Sequence, residues 1–359
     1  LKANSSNDAI FADDKGEIAY LHPSFIPRRD DRFDYTAPVD GADPATDWRG
    51  LHALGEAPHV LNPAVGWVFN TNDWPYSAAG PDSPRRADYP RYMDTAGENP
   101  RGLHAARLLT GRRGFTLASL MTAAYDPYLP AFAILIPTLV AAWDRVKADE
   151  PLKARLSDQI ALLRAWDDRW SADSAATSLA VFWGERLWAK TAAACRGCSQ
   201  LTVVDRMAKQ ISDHDKLAAL AQASDQIARD FGTWRTPWGE INRFQRLDDA
   251  IAPHFDDAAA SIPVPFTASK WGSLAAFAAR PRDGTRRWYG TEGNSFVAVV
   301  EFGPRVHAMA VTAGGESGDP ASKHFDDEAE RYAQGRLREV YFWPDQLAGH
   351  IERVYHPGQ

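Results

Sequence analysis

Apolar residues recur at two spacings along this chain, and the change of spacing divides it in three. Between about residues 101 and 232 they return every three or four positions: Leu103, Ala106 and Leu109; Leu152, Leu156, Ile160 and Leu163; Leu179, Phe182 and Leu187; Met207, Ile211, Leu217 and Leu220. That is the period of helices with one buried face. Thr116, Asp126, Asp149 and Ser174 stand where such helices need N-caps. Five or six helices are expected. On either side the pattern is that of short strands. Residues 10–12 and 17–20 flank Asp13-Asp14-Lys15-Gly16 and predict a hairpin. Residues 66–70 are a further short strand among loops punctuated by Pro23, Pro27, Pro38, Pro44, Pro58 and Pro63. Residues 294–302 and 306–313, separated by Gly303-Pro304, predict an antiparallel pair. Residues 339–343 and 351–355 predict two more strands around a helical turn at 345–349. The chain thus reads as a β-rich segment (1–100), a helical region (101–232) and a second β-rich segment (233–359). Strands and helices in separate blocks point to α+β with antiparallel sheets.

Charge and composition narrow the function. The 47 acidic against 40 basic residues give −7, which argues against non-specific nucleic-acid binding, since that needs a basic face. The longest apolar stretch, residues 129–143, contains Pro130 and Pro137 and is shorter than the ~20 residues that span a bilayer, so no membrane helix is expected. No signal peptide is visible, and the chain opens Leu1-Lys2 without Met, so it is expected to be a processed product or a fragment. The 13 Trp among the aromatic residues imply aromatic pockets or a Trp-heavy core.

Generic catalytic signatures are missing: no GxSxG, P-loop, helix-opening GxGxxG or HExxH occurs. Cys195 and Cys198 form C-R-G-C. The pair follows a helical pattern and precedes another, whereas a thioredoxin-like redox motif follows a strand. Zinc would need two more ligands at matching spacing. A small-loop disulfide and two free thiols both stay open.

Four blocks nonetheless resemble one family, in the family's order. Residues 10–28, IFADDKGEIAYLHPSFIPR, resemble the F-A-D-x-x-G-x-I-x-Y-x-H segment of penicillin acylases and acyl-homoserine-lactone acylases. Asp47-Trp48-Arg49-Gly50, Pro58 to Pro63 and Gly66 to Asp73 (GWVFNTND) resemble its W-x-G … N-P-x-x-G-x-x-x-N-x-N. Trp238-Gly239-Glu240-Ile241-Asn242-Arg243 is similar to W-G-x-x-x-R. Residues 314–327, GGESGDPASKHFDD, resemble G-G-Q-S-G-N-P-x-S-P-H-Y-x-D, with Glu316 and Lys323 replacing Gln and Pro.

The resemblance implies an N-terminal-nucleophile hydrolase. This chain would be the C-terminal portion of its four-layer α/β/β/α fold, with a helical insertion. Such enzymes cleave their own precursor, and the freed Ser attacks the amide while its α-amine, with a pKa of about 8, serves as base. That Ser is expected upstream of Leu1; Ser5 and Ser6 carry no free amine and are rejected. Asn72 is implied as the side-chain donor of the oxyanion hole. Arg101, at the start of a helix, is implied to orient the site, with His104 one turn on as a substrate-lining residue. His22 and His59 are read as structural. So is His324, in a loop where it and Ser322 bond backbone. Asp94 is the nearest match to one ligand of a structural calcium; no other cofactor is expected. The implied substrate is a small acyl amide, and the implied partner is the N-terminal remainder of the same precursor. A periplasmic or secreted location would agree with a Cys195–Cys198 disulfide. The alternatives are a non-catalytic periplasmic carbohydrate- or ligand-binding protein and a catalytically inert fragment.

Overall fold

The computed structural model describes residues 7–356 and residue 358; Leu1, Ser5 and Ser6 lie outside them. The chain opens with the expected hairpin. Strands β1 (Ala9–Ala12) and β2 (Ile18–Leu21) pair antiparallel, with Ala12 opposite Ile18. Asp13 closes the turn: its Oδ1 accepts from Lys15 N–H at 3.0 Å and Glu17 N–H at 2.9 Å. Strand β3 (His59–Leu61) takes the other edge of β2. Residues 66–70 form no strand. Their backbone bonds go to loops and turns instead, Gly66 N–H to Pro63 O and Phe69 N–H to Ala78 O.

Eight helices follow rather than five or six. They are α1 (Pro100–Leu109), α2 (Leu117–Ala124), α3 (Pro130–Arg145), α4 (Pro151–Arg155), α5 (Ser157–Arg164), α6 (Ala175–Ala193), α7 (Gln200–Gln210) and α8 (Asp213–Phe231). The apolar run at 152–163 is split at Leu156, where the backbone leaves helical geometry between α4 and α5. Thr116 and Ser174 are N-caps, accepting from the N–H groups of Ser119 and Thr177. Asp126 and Asp149 are not. Leu129 and Glu150 hold those positions, and Asp126 instead closes a turn on Tyr128 N–H. Leu135, Leu139, Leu179, Leu217 and Leu220 are fully buried where α3, α6 and α8 meet. Trp183 and Trp271 complete this core, each burial of such a side chain being worth ~2–3 kcal/mol. Trp271 stacks on Phe132 at 4.7 Å. Gly184 makes room for it, since a Cβ there would stand 2.8 Å from the Trp271 ring. Just past α6, Cys195 and Cys198 are joined in a disulfide with Cα atoms 5.5 Å apart.

The last third returns to sheet. After the short helix α9 (Trp238–Ile241) come β4 (Asn242–Phe244), β5 (Ile262–Pro263), β6 (Phe277–Pro281) and β7 (Trp288–Gly293), in the order β5-β4-β7-β6. The β4–β7 pair is parallel, an exception to the antiparallel rule expected. Strands β8 (Phe296–Glu301) and β9 (His307–Thr312) form the expected antiparallel pair. Helix α10 (Ala329–Ala333) leads to β10 (Arg338–Glu339), which pairs with β9. The strand expected at 339–343 stops after two residues. Gln346 of α11 (Pro344–Leu347) takes the N–H groups of Phe342 and Trp343 at 3.2 and 2.9 Å, so they cannot join a ladder. Residues 351–355 form no strand. The class is α+β. Among the described residues no helix is long and apolar enough to cross a membrane.

Candidate functional site

Two segments far apart in sequence meet at the site. The first is the turn Asn70-Thr71-Asn72-Asp73. Asn72 has φ +59°, in the left-handed region that Asn tolerates better than most residues. Its N–H donates to Asn70 Oδ1 at 2.9 Å, so the turn is closed by a side chain. The second segment is the start of α1. Asn99 caps the helix by accepting from Gly102 N–H at 3.0 Å, and its Nδ2 donates to the Thr71 carbonyl at 2.8 Å. Pro100 at the first helical position has no N–H to satisfy. One Asn thereby ties the helix start to the turn.

Arg101 completes the tie. Its Nη2 donates to Thr71 O at 2.5 Å and to Asn72 Oδ1 at 2.8 Å, across 29 positions of sequence. A guanidinium only donates, so the Asn72 atom it meets is the oxygen. The Asn72 Nδ2 amide is left with no partner among the described residues. Asn72 is exposed between buried Thr71 and Asp73. Beneath them, Asp73 Oδ1 accepts from Thr71 N–H at 3.1 Å, while Oδ2 has no hydrogen-bond partner. Burial pushes the Asp73 carboxyl above the usual carboxylate range, against the Thr71 bonds and the Arg101 charge. Burial likewise makes Arg101 less basic than usual, against the pull of Asp73. Gly102 allows this fit, because a Cβ there would lie 2.4 Å from Asp73 Oδ2.

A buried polar network braces the turn from behind. Asn70 Nδ2 donates to Asp8 Oδ2 at 3.1 Å. Tyr20 and Ser24 hydroxyls donate to the same carboxylate at 3.2 and 3.3 Å. His22 sits between two acids, Nδ1 2.7 Å from Asp8 Oδ1 and Nε2 3.6 Å from Asp94 Oδ2. Burial pulls the imidazole pKa down, but Asp8 and Asp94 outweigh it and hold it above its ordinary value. The stabilisation from charged His22 is therefore whole below pH ~6.5 and is lost as pH rises through the raised folded value. His22→Gln should lower Tm by ~2–4 °C near pH ~5.5, and the gap from wild type should close toward pH ~8.5. A Tm difference independent of pH, followed by circular dichroism, would show that His22 acts by packing alone.

The other sequence candidates fall elsewhere. His104 is fully buried, so no surface of it is open to a substrate here. Its Nδ1 lies 2.8 Å from Gly272 O and its Nε2 3.0 Å from Asp126 Oδ1. Burial lowers its pKa against the pull of both acceptors. Asp94 accepts from Ala96 N–H at 2.8 Å and faces His22 with its other oxygen. Among the described residues no group of three or more His, Cys, Asp or Glu side chains is placed to hold a metal ion. A carboxylate already facing an imidazole does not by itself fit calcium. Ser322 bonds backbone as expected, its Oγ accepting from His324 N–H at 3.1 Å, and only the partners of the His324 ring differ from the expectation. Its ring bonds carboxylates rather than backbone, Nδ1 at 2.7 Å from Asp327 and Nε2 at 3.0 Å from Glu352. Those two acids raise its pKa. Glu316 bonds Thr312 Oγ1 at 2.7 Å and Arg338 at 3.0 Å. Lys323 pairs with Glu352. Arg243 of the W-G-x-x-x-R block bonds Gly239 O at 2.8 Å and Ser261 Oγ at 3.0 Å, a structural role.

Sequence reasoning did not single out Asp8, Asn70, Asp73 or Asn99. Asn99-Pro100 is an N-cap signature and was readable. Asp8 carries no local signal, since its role arises only when β1 and β2 fold beside the 70–73 turn.

Comparison with known proteins places these observations. A thermostable penicillin G acylase from Alcaligenes faecalis, solved in an orthorhombic form, has a similar fold, with a TM-score of 0.55 at 15% identity. The match covers 97% of this chain and 66% of that one, so this chain spans just under two thirds of its length. The profile of the penicillin amidase family matches residues 2–349. With nearly the whole chain inside that match, and all four of its sequence blocks in order, this chain belongs to the penicillin amidase family.

Proposed function

We propose that this chain is the C-terminal part of the large subunit of an amidohydrolase that cleaves acyl amides, with its N-terminal Ser nucleophile on polypeptide upstream of Leu1. The observation that carries this is the free Asn72 amide. Arg101 holds the Asn72 oxygen, which aims the NH₂ outward as a neutral donor. When Ser attacks the acyl carbonyl, its proton passes to the Ser α-amine and negative charge builds on the carbonyl oxygen. Asn72 Nδ2 donates to that oxyanion. The tetrahedral intermediate then collapses, the α-amine returns the proton to the leaving amine, and water releases the acyl group by the same route. Acylated homoserine lactones and related fatty or aromatic amides are the proposed substrates. The remainder of the precursor is the proposed partner. The open edge strand β8 supports this, with Phe296 and Val300 exposed at 61% and 44% and Phe302, just past its end, at 44%. The Cys195–Cys198 disulfide supports a periplasmic or secreted location.

The test is hydrolysis of a panel of acyl amides by the complete processed protein and by the 359-residue chain alone. The complete protein should release acid and amine, and the chain alone should be inert. Turnover by the chain alone would move the nucleophile into it. Saturable binding without turnover by the complete protein would favour a non-catalytic ligand-binding protein.

A further inference from the structure

The angle of α1 decides where Arg101 points. The buried positions of this helix are Pro100, Gly102, His104 and Ala105. Three of them pack by shape, where α1 lies against α3 and the turn at Ser269–Trp271. Apolar burial of that kind is non-directional, so it leaves small rotations of the helix about its axis nearly free. His104 is the one of the four with polar atoms on its side chain, and its ring is gripped from both ends. The Gly272 carbonyl stands 2.8 Å from Nδ1 and Asp126 Oδ1 stands 3.0 Å from Nε2. Arg101 lies three positions earlier, a surface neighbour of His104 on the same helix. Fixing the ring therefore fixes the base from which the Arg101 side chain reaches Asn72.

Asp126 is itself held in place. Its Oδ1 accepts from Tyr128 N–H at 3.0 Å and lies 3.4 Å from Arg169 Nη1. Burial opposes its ionisation, but Tyr128 N–H, His104 and Arg169 hold its carboxyl below the usual range. Two backbone bonds staple the chain just beyond it to the loop before α6: Leu129 N–H to Asp168 O at 2.8 Å and Trp170 N–H to Pro127 O at 3.0 Å. Arg107, three positions beyond His104 on α1, packs over the Tyr128 ring at 3.8 Å. The 126–128 segment is thus a fixed post beside α1, and Asp126 is its directed contact with the buried face. Among the described residues Asp126 makes no hydrogen bond or ion pair with Arg101 or with the turn at 70–73. We propose that Asp126 is a positioning residue for the reaction: through His104 it sets the rotation of α1 and so the aim of Arg101 on the Asn72 oxygen. This rests on the acylase reading of the Asn72–Arg101 turn. Without Asp126, Arg101 still meets Asn72, but the Nδ2 amide points off the line to the oxyanion. A misplacement of about 1 Å at such a group can cost ~100-fold in rate, and a loosened rotation costs less.

The test is made on the complete processed protein, by steady-state hydrolysis of one chromogenic amide. Asp126→Ala should lower kcat roughly tenfold, with KM changed by less than about twofold. Asp126→Asn keeps an oxygen for Tyr128 N–H and offers His104 Nε2 an amide N–H, so it should recover most of that loss. In an Arg101→Met background Asp126→Ala should cost kcat nothing further, because the group it aims is gone, whereas the two losses of melting temperature should add. His104→Asn keeps a donor near Nδ1 for Gly272 and loses Nε2. It should reproduce the Asp126→Ala deficit, and it takes that variant's place if Asp126→Ala does not fold. Full kcat in Asp126→Ala, or the same tenfold loss in both backgrounds, would overturn the proposal. Hydrogen exchange over residues 99–109 needs no turnover. It should quicken in Asp126→Ala and stay at the unaltered rate in Asp126→Asn. An unaltered protein without turnover would overturn the acylase reading, and unchanged exchange in Asp126→Ala would overturn this one.

Discussion

Replacing Asn72 by Ala in the assembled enzyme is expected to cut kcat by ~10²–10³, with KM little changed. Among the described residues Asn72 Nδ2 makes no hydrogen bond, so in the proposed reaction that amide is free to meet the charge that develops on the oxyanion. Losing such a donor costs about 3 kcal/mol of transition-state stabilisation and little ground-state binding. Folding should be nearly unaffected, because the side chain is exposed. Asn72→Asp should be as damaging or worse, since a carboxylate repels the oxyanion and also pairs more strongly with Arg101. Steady-state kinetics on a single chromogenic amide decide this. Near-normal kcat in both variants would remove Asn72 from the chemistry.

Arg101→Met is expected to damage both fold and activity. The variant takes one of two donors from the Thr71 carbonyl, which keeps Asn99 Nδ2, frees the exposed Asn72 oxygen, and removes the Arg101 charge from beside the buried Asp73 carboxylate. Breaking one member of such a buried polar cluster costs about 2–3 kcal/mol. Asn72 is also freed to rotate, so kcat should fall beyond what lost stability explains. Arg101→Lys keeps a charge for Asp73 but loses the planar fork, and should recover more stability than kcat. Urea denaturation and kinetics measured on the same preparations separate the two effects. If Lys restored both equally, Arg101 would be acting as a charge alone.

The contact between Asn72 and Arg101 was legible only through the resemblance of N-T-N-D and N-P-R-G-L to a known pattern. Composition and spacing alone gave no reason to bring positions 72 and 101 together. The hairpin at Asp13–Gly16 and the β8–β9 pair were legible because each is set by a local turn and an apolar run. The missing strand at 66–70 was not, since whether a run becomes a strand depends on which partners its backbone meets, and here Gly66 N–H bonds Pro63 O and Phe69 N–H bonds Ala78 O. The failed caps at Asp126 and Asp149 have the same origin. A side chain able to cap was drawn into a nearer turn, or the helix began one residue later. Asp8, Asn70 and Asp73 were invisible for a further reason. Their importance comes from burial, and burial of a polar residue leaves no periodic trace.

The helix that carries Arg101 is seated by a contact made late in the chain. His104, one turn on, reaches the carbonyl of Gly272, 168 positions away. Gly272 holds φ +101° directly against Pro130, where a Cβ would stand 2.4 Å from the proline ring. A ribosome delivers residue 101 long before residue 272. Throughout that interval α1 has its packing on α3 but lacks the His104 bond to Gly272. A polypeptide truncated before Gly272 therefore keeps the Asn72–Arg101 contact but lacks the bond that seats its helix on the last third of the chain.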